Sequence, residues 1–228
     1  TGVTIDGDTV AIGHDVRASA PSIAQATIDG LTSAGMNVVD IGLCTTPMLY
    51  YAVGKRNLAG GVMVTASHNP PNWIGFKICR EKAIPFGEGS GLEKIRSLSE
   101  DPIGDGKGSV TKQPILGEYK EHIRSFLKEI PPLKVVVDCA NGAVAAHFDT
   151  VFGDLPLEFV RLCCDPDGSF PNHEPNPLLD RNVQDAAEAV VRENADMAVC
   201  FDGDGDRCMF LGPDGKRIRS DLVTALLA

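Results

Sequence analysis

Val62-Met63-Val64-Thr65-Ala66-Ser67-His68-Asn69-Pro70-Pro71 is an apolar run that breaks into a polar loop closed by two prolines. Val62 to Val64 reads as a buried strand, and Asn69-Pro70-Pro71 can continue neither strand nor helix. Ser67 is thereby left where the side chains of an α/β sheet face a ligand crevice. It is the candidate carrier of the chemistry. The plainer reading of the same residues is a strand-ending turn whose serine caps a backbone group.

Two serine arrangements fail here. Thr65-Ala66-Ser67-His68-Asn69 lacks both glycines of the strained nucleophile elbow, which argues against an α/β-hydrolase. His68 is a poor base for Ser67, because adjacent side chains of an extended segment point to opposite faces and no third group nearby would orient the imidazole. A nucleophilic Ser67 must attack something other than an acyl group, or be activated by something else.

Outward from this loop, strands alternate with helices. Thr9 to Asp15 reads as a strand, followed by a helix capped near Ser19, with Pro21 in its first turn and Gly35 at its end. Ile23, Ala24, Ile28, Leu31 and Ala34 share one side of it at helical spacing. Asn37 to Leu43 is the next strand, and Thr46-Pro47 opens a helix to about Arg56 that delivers the chain to the Ser67 strand. Gly75 to Cys79 reads as a short edge strand returning Lys77 towards the serine, or as an edge with a solvated lysine. The glycines at 87, 89 and 91 around Ser90 do not make a P-loop. Helices are expected near 91–99 and 117–130, and Pro131-Pro132 marks the internal boundary.

The second half repeats the pattern. Strands are expected over Lys134–Cys139, Leu157–Cys163 and Ala195–Phe201. Helices are expected over Gly142–Phe152 and Asn182–Asn194, the latter with Val183, Ala186, Ala187 and Val190 on one face. Pro166 to Pro177 is a proline-rich loop, Cys208 to Leu211 a last strand, and Pro213-Asp214-Gly215 a hairpin turn. The fold class is therefore α/β, two consecutive three-layer α/β/α domains with mostly parallel mixed sheets. Residues 1–131 form the Ser67 domain and 132–218 the next. Residues 219–228 begin a third, because Ser220 to Ala228 opens a capped apolar helix and stops before burying it.

Composition limits the function. The 228 residues leave room for one large or two modest domains, and 43% apolar residues suffices for a packed core. A net charge of −10 with no cluster of Lys and Arg argues against nucleic-acid binding, so any phosphate must be held locally. No apolar run is long enough for a membrane helix, and Thr1-Gly2-Val3-Thr4 has no signal-peptide pattern, so a soluble, cytoplasmic protein is expected. The seven cysteines form no Cys-x-x-Cys pair and fall mostly in apolar strands (Cys79, Cys139, Cys163, Cys200, Cys208), which predicts buried reduced thiols without chemistry.

The strand ending at Phe201 runs into Asp202-Gly203-Asp204-Gly205-Asp206-Arg207. Three carboxylates at alternate positions, with glycines that let the backbone fold, suit one hard cation such as Mg²⁺ or Ca²⁺. The EF-hand pattern fails, since Arg207 stands where it needs glycine and Pro213 where it needs glutamate. The alternative is an acidic turn between two strands. A serine, a Mg²⁺ site, an adjacent arginine and a returning lysine together suit phosphoryl transfer, in which positioning and charge neutralisation do most of the work.

These residues resemble a known family. Thr65-Ala66-Ser67-His68-Asn69-Pro70, Gly75-Phe76-Lys77-Ile78 and Asp202-Gly203-Asp204-Gly205-Asp206-Arg207 are similar to the motifs of the α-D-phosphohexomutases, the phosphomannomutase/phosphoglucomutase group. Lys134 to Gly142 and Asp167 to His173 extend the resemblance along the chain. It implies the first two domains of a four-domain enzyme, phosphorylated on Ser67, with Asp202, Asp204 and Asp206 holding Mg²⁺ against that phosphate and Ser67 completing the metal site. The phosphoserine would pass its group to a hexose monophosphate, and the hexose 1,6-bisphosphate would reorient and return its other phosphate. His68 and Lys77 would be hydrogen-bonding or proton-transfer groups on the sugar side, and Arg207 would steady phosphate or sugar oxygens. A monomer or weak homodimer acting on mannose or glucose phosphate is expected.

Gly13-His14-Asp15 and Ile74-Gly75 depart from the family's usual Gly-Arg-Asp and Asn-Gly. The rivals are a phosphoglucosamine mutase, a haloacid-dehalogenase-type phosphatase with Asp202 or Asp204 as nucleophile, and a mutase-like protein that binds without catalysis.

Overall fold

The computed structural model describes residues 7–98 and 106–228. The opening Thr1–Thr4 stretch and the last position of the helix expected over 91–99 lie outside them. The chain divides into two compact units. One comprises the described residues up to Thr65 together with Ile74–Tyr119, and the other Ala66–Trp73 together with Lys120–Ala228.

In the first unit, β1 (Thr9–His14), β2 (Asn37–Leu43), β3 (Gly60–Val64), β4 (Phe76–Arg80) and β5 (Val110–Lys112) form a sheet in the order β4-β3-β1-β2-β5. All pairings are parallel except β3 with β4, whose hairpin leaves β4 at the edge, as the sequence suggests. The sheet is covered on both faces. Val10, Ile12, Val62 and Val64 pack on α1 (Ala20–Ser33) through Ala24, Ile28 and Leu31. Ala11, Val39 and Met63 pack on α2 (Thr46–Lys55) through Met48, Leu49 and Ala52. β3 is buried at every position, which is why it reads as an unbroken apolar run.

Local chemistry explains the boundaries. At the end of α1, Met36 N–H donates to Leu31 C=O and Gly35 N–H to Thr32 C=O, with Gly35 at φ +83°. This is a Schellman cap, which needs the left-handed conformation glycine adopts freely. Ser19 precedes α1 but its side chain makes no capping bond, because its backbone is already helical. Ala34 is exposed beyond the helix end rather than on its buried side. Thr45 caps α2 by accepting from Met48 N–H. β5 escapes sequence reading because its three residues are all exposed. Downstream of α3 (Leu92–Leu98), α4 spans Leu116–Ser125 and stops short of the expected 130. Phe126 and Leu127 are exposed, so no burial holds the next turn before Pro131.

In the second unit, β6 (Lys134–Asp138), β7 (Glu158–Leu162), β8 (Met197–Phe201) and β9 (Cys208–Leu211) lie in the order β7-β6-β8-β9, with β9 antiparallel. Val136, Ala198 and Cys200 pack on α6 (Gln184–Arg192) through Ala186, Ala189 and Val190. The opposite face is closed by Phe148 of α5 (Phe148–Phe152) and Val144. α5 is far shorter than the helix expected over 142–152. Asn141 N–H donates to Cys163 C=O and Ala143 N–H to Gly203 C=O, which pins the start of this stretch to distant loops, and the i→i−3 bonds from Ala145 N–H to Gly142 C=O and His147 N–H to Val144 C=O make turns, not α-helix, as far as His147. α7 (Ser220–Leu227) begins as expected, although Arg219 rather than a capping side chain precedes it.

All seven cysteines are free, but they are not uniformly buried in strands. Cys208 is exposed, and Cys163 and Cys164 are half-buried just past β7. Among the described residues, no helix is long and apolar enough to cross a membrane.

Candidate functional site

The eight residues Ala66–Trp73 leave β3 and pack with the second unit. Asn69 N–H and its side-chain amide both donate to Ala66 C=O, and Trp73 N–H donates to Pro70 C=O, so the segment is a chain of tight turns. Ser67 sits inside it at φ +51°, a left-handed conformation uncommon for a residue with a β-carbon. The residue is only 7% exposed.

The Ser67 hydroxyl donates to Asp202 Oδ2 at 2.9 Å. Asp202 lies directly past the carboxyl end of β8, and its Oδ1 accepts from Arg207 N–H at 3.1 Å. Gly205 N–H returns to Asp202 C=O, and Gly205 adopts φ +71°, which folds the loop so that alternate carboxylates converge. The carboxylates of Asp202, Asp204 and Asp206 come within 4.8 Å of one another. Asp202 and Asp204 are fully buried, while Asp206 is exposed.

Close backbone approach makes this possible. A β-carbon on Gly203 would lie 2.5 Å from the Ser67 carbonyl oxygen, and one on Gly142 2.9 Å from Gly203 Cα. Both glycines are therefore packing requirements, and they stack the turn after β6, the acidic loop and the serine segment against one another.

The electrostatics of the loop suit a cation. Burial raises the Asp202 pKa, Asp204 and Asp206 raise it further, and the bonds from Ser67 and Arg207 offset only part, leaving it at about 7. Three oxygen-donor carboxylates converging in a buried loop fit a hard divalent ion such as Mg²⁺, whose charge would remove this repulsion.

His68 and Arg207 also meet here. A guanidinium nitrogen of Arg207 donates to His68 Nδ1 at 2.6 Å, which assigns the proton of the neutral imidazole to Nε2. Lys77 lies on β4 opposite Met63, in the first unit.

One cluster in the first unit was not singled out from sequence. Asp15 and Arg17, just past β1, form a fully buried ion pair at 3.1 Å. Asp15 Oδ1 accepts from Arg17 N–H, and Oδ2 accepts from the Thr65 hydroxyl at 2.7 Å. This anchors the residue from which the Ser67 segment departs. Two opposite charges two residues apart, directly beyond a central apolar strand, are the signal that could have revealed it.

Known proteins resemble this chain over nearly its whole length. Residues 4–101 match the family model described as phosphoglucomutase/phosphomannomutase, alpha/beta/alpha domain I, and residues 117–215 match domain II of the same family. The chain is 40% identical over 229 residues to a protein of Xanthomonas campestris pv. campestris named phosphohexose mutases, covering 98% of this chain and 51% of that one. It is 39% identical over 223 residues to the phosphomannomutase/phosphoglucomutase of Pseudomonas aeruginosa, covering 96% of this chain and 47% of that one. A crystal structure of a phosphoglucomutase/phosphomannomutase family protein from Burkholderia thailandensis superposes with a TM-score of 0.89 at 35% identity, over 97% of this chain and 50% of that one. The chain thus spans about half the length of the curated relatives it matches.

Proposed function

The chain belongs to the phosphoglucomutase/phosphomannomutase family and carries its domains I and II, and on that premise we propose that the protein interconverts hexose 6-phosphate and hexose 1-phosphate, of mannose or glucose, through a phosphoserine at Ser67. The observation that carries this reading is the 2.9 Å hydrogen bond from Ser67 Oγ to Asp202, inside a loop whose three carboxylates converge.

In the forward half-reaction the Ser67 Oγ–P bond breaks and a bond forms from phosphorus to a hydroxyl oxygen of the hexose monophosphate. The sugar hydroxyl loses its proton and the departing seryl oxygen regains one, so the product is a hexose 1,6-bisphosphate and free serine. After the bisphosphate reorients, its other phosphoryl returns to Ser67. Asp202, Asp204 and Asp206, with the phosphorylated Ser67, would hold Mg²⁺, which supplies charge neutralisation for the moving phosphoryl.

The remaining groups have narrower roles. Asp202 accepts the hydrogen bond of the free serine and keeps its oxygen where the returning phosphoryl must arrive. His68, with its Nδ1 taken by Arg207, presents Nε2–H as a donor to substrate oxygens rather than a site for a second proton. Arg207 keeps the imidazole in that tautomer, and Lys77 is the proton-transfer candidate on the sugar side.

Activity should require glucose 1,6-bisphosphate when the enzyme is isolated unphosphorylated. The intact wild-type protein should carry the mass increment of one phosphoryl group, and Ser67→Ala should lose both that increment and turnover. A phosphorylated Ser67→Ala protein, or one whose phosphate is released by hydroxylamine as an aspartyl phosphate would be, overturns the assignment. Failure of both mannose and glucose phosphates to react would leave a binding protein or a different sugar specificity.

A further inference from the structure

The second unit holds a second cluster of donor atoms, away from Ser67 and the acidic loop in sequence. Asp138 is the last residue of β6, Cys163 the first after β7, and His173 belongs to the proline-rich loop between β7 and α6. One ligand atom from each, a carboxylate oxygen, a thiol sulfur and an imidazole nitrogen, come within 4.8 Å of one another. Parallel pairing sets Asp138 beside Leu162, so the first two emerge together at the carboxyl ends of adjacent strands, where α/β sheets bind ligands.

The hydrogen bonds around His173 decide what the cluster can hold. Its Nδ1 lies 2.9 Å from the Glu174 carbonyl oxygen, which can only accept, so Nδ1 carries a proton. The other nitrogen, Nε2, lies 3.0 Å from Asp138 Oδ2. In the neutral ring Nε2 is a lone pair facing an anionic oxygen, with the Cys163 sulfur within 4.8 Å of the ligand atoms of both residues. A cation has to stand among the three, either a proton on Nε2 or a metal ion. An imidazole whose far N–H is fixed on a carbonyl is oriented as metal-ligating histidines are.

The surroundings are rigid. Asp138 Oδ1 accepts from Ala140 N–H, and the Asn172 amide, next to His173, donates to Asn141 Oδ1 at 2.8 Å. Asn141 in turn donates from its backbone to Cys163 C=O and from its side chain to Asp165 C=O. The Asp138 side chain is 1% exposed and that of His173 13%. Cys163 also lines a cavity of about 300 Å³, together with Cys164, Asp165 and Arg161.

We propose that Asp138, Cys163 and His173 form a binding site for a borderline-soft divalent cation of the zinc class, separate from the Asp202-Asp204-Asp206 loop. Oxygen, sulfur and nitrogen donors in one set disfavour Mg²⁺ and Ca²⁺, and three protein ligands leave a fourth position for water. Binding displaces the imidazole proton from Nε2 and the thiol proton from Cys163, and both leave to the buffer. The inference does not depend on the phosphotransfer reading.

Co²⁺ is the probe, added to the purified protein in saturating Mg²⁺ so that the acidic loop is occupied. One thiolate-to-Co²⁺ charge-transfer band should develop in the near ultraviolet and saturate at one equivalent, and Zn²⁺ should abolish it. Cys163→Ser should remove the band, and His173→Gln should weaken binding by at least about 10-fold, since even outer partners of metal ligands carry that much. Cys164→Ser and Asp204→Asn should leave it intact. Because His173→Gln could perturb folding, alkylation of Cys163 in the wild-type chain is followed as well, and Zn²⁺ should slow it. The absence of a charge-transfer band, its survival in Cys163→Ser, or an alkylation rate at Cys163 indifferent to Zn²⁺ overturns the proposal and leaves a proton-bridged Asp138–His173 pair.

Discussion

At the scale of single residues, Asp202 is the most consequential group. Its carboxyl is raised from 3.8 to about 7 by burial and by two neighbouring carboxylates, so the folded state binds its proton more tightly than the unfolded state does. Its contribution to stability is therefore fully present below pH 3.8 and is lost as pH rises through about 7. In chelator, Asp202→Asn should gain thermal stability relative to wild type as pH increases across that window, and saturating Mg²⁺ should reverse the ranking; melting curves in both conditions check this. Gly203 makes a separate prediction. A methyl group there meets the Ser67 carbonyl at 2.5 Å and Pro175 at 3.3 Å, so Gly203→Ala should cost about 1–3 kcal/mol in denaturant unfolding. It should also lower the extent of the proposed phosphorylation of Ser67, because the segment must shift to make room.

At the scale of elements, strand ends and helix caps set where the site can form. β1 and β3 run parallel side by side, and the Asp15–Arg17–Thr65 network fixes the point at which the chain leaves β3. Asp15→Ala would remove the carboxylate that pairs with the fully buried Arg17 guanidinium at 3.1 Å, and should destabilise the protein by about 3–5 kcal/mol. A double-mutant cycle of Asp15 and Arg17 by urea unfolding isolates the coupling between the two charges from their other contacts. Gly35→Ala, at φ +83° in the Schellman cap of α1, should cost about 1 kcal/mol by the same measurement.

At the scale of the whole molecule, a net charge of −10 would make the proposed phosphate-handling site an exception to the surrounding field, so under that proposal divalent metal should matter to the fold as well as to activity. Mg²⁺ at about 100 times its dissociation constant should add about 2.7 kcal/mol of stability. Hydrogen exchange should slow at residues 66–73 and 202–207, and Asp204→Asn should abolish both effects. The sequence alone determined the α/β alternation, both sheets' central strands, the edge position of β4, and the serine and acidic loops as the places to look. Those features are written in local periodicity, proline and glycine placement, and the spacing of charges, all of which act between near neighbours. Only the tertiary structure decided that Ser67 packs with the unit that carries Asp202, that α5 is cut short, and that Asp138, Cys163 and His173 converge. Each of these depends on an amide, a glycine surface or a donor atom meeting a partner many residues away, and no local pattern records which distant group will satisfy it.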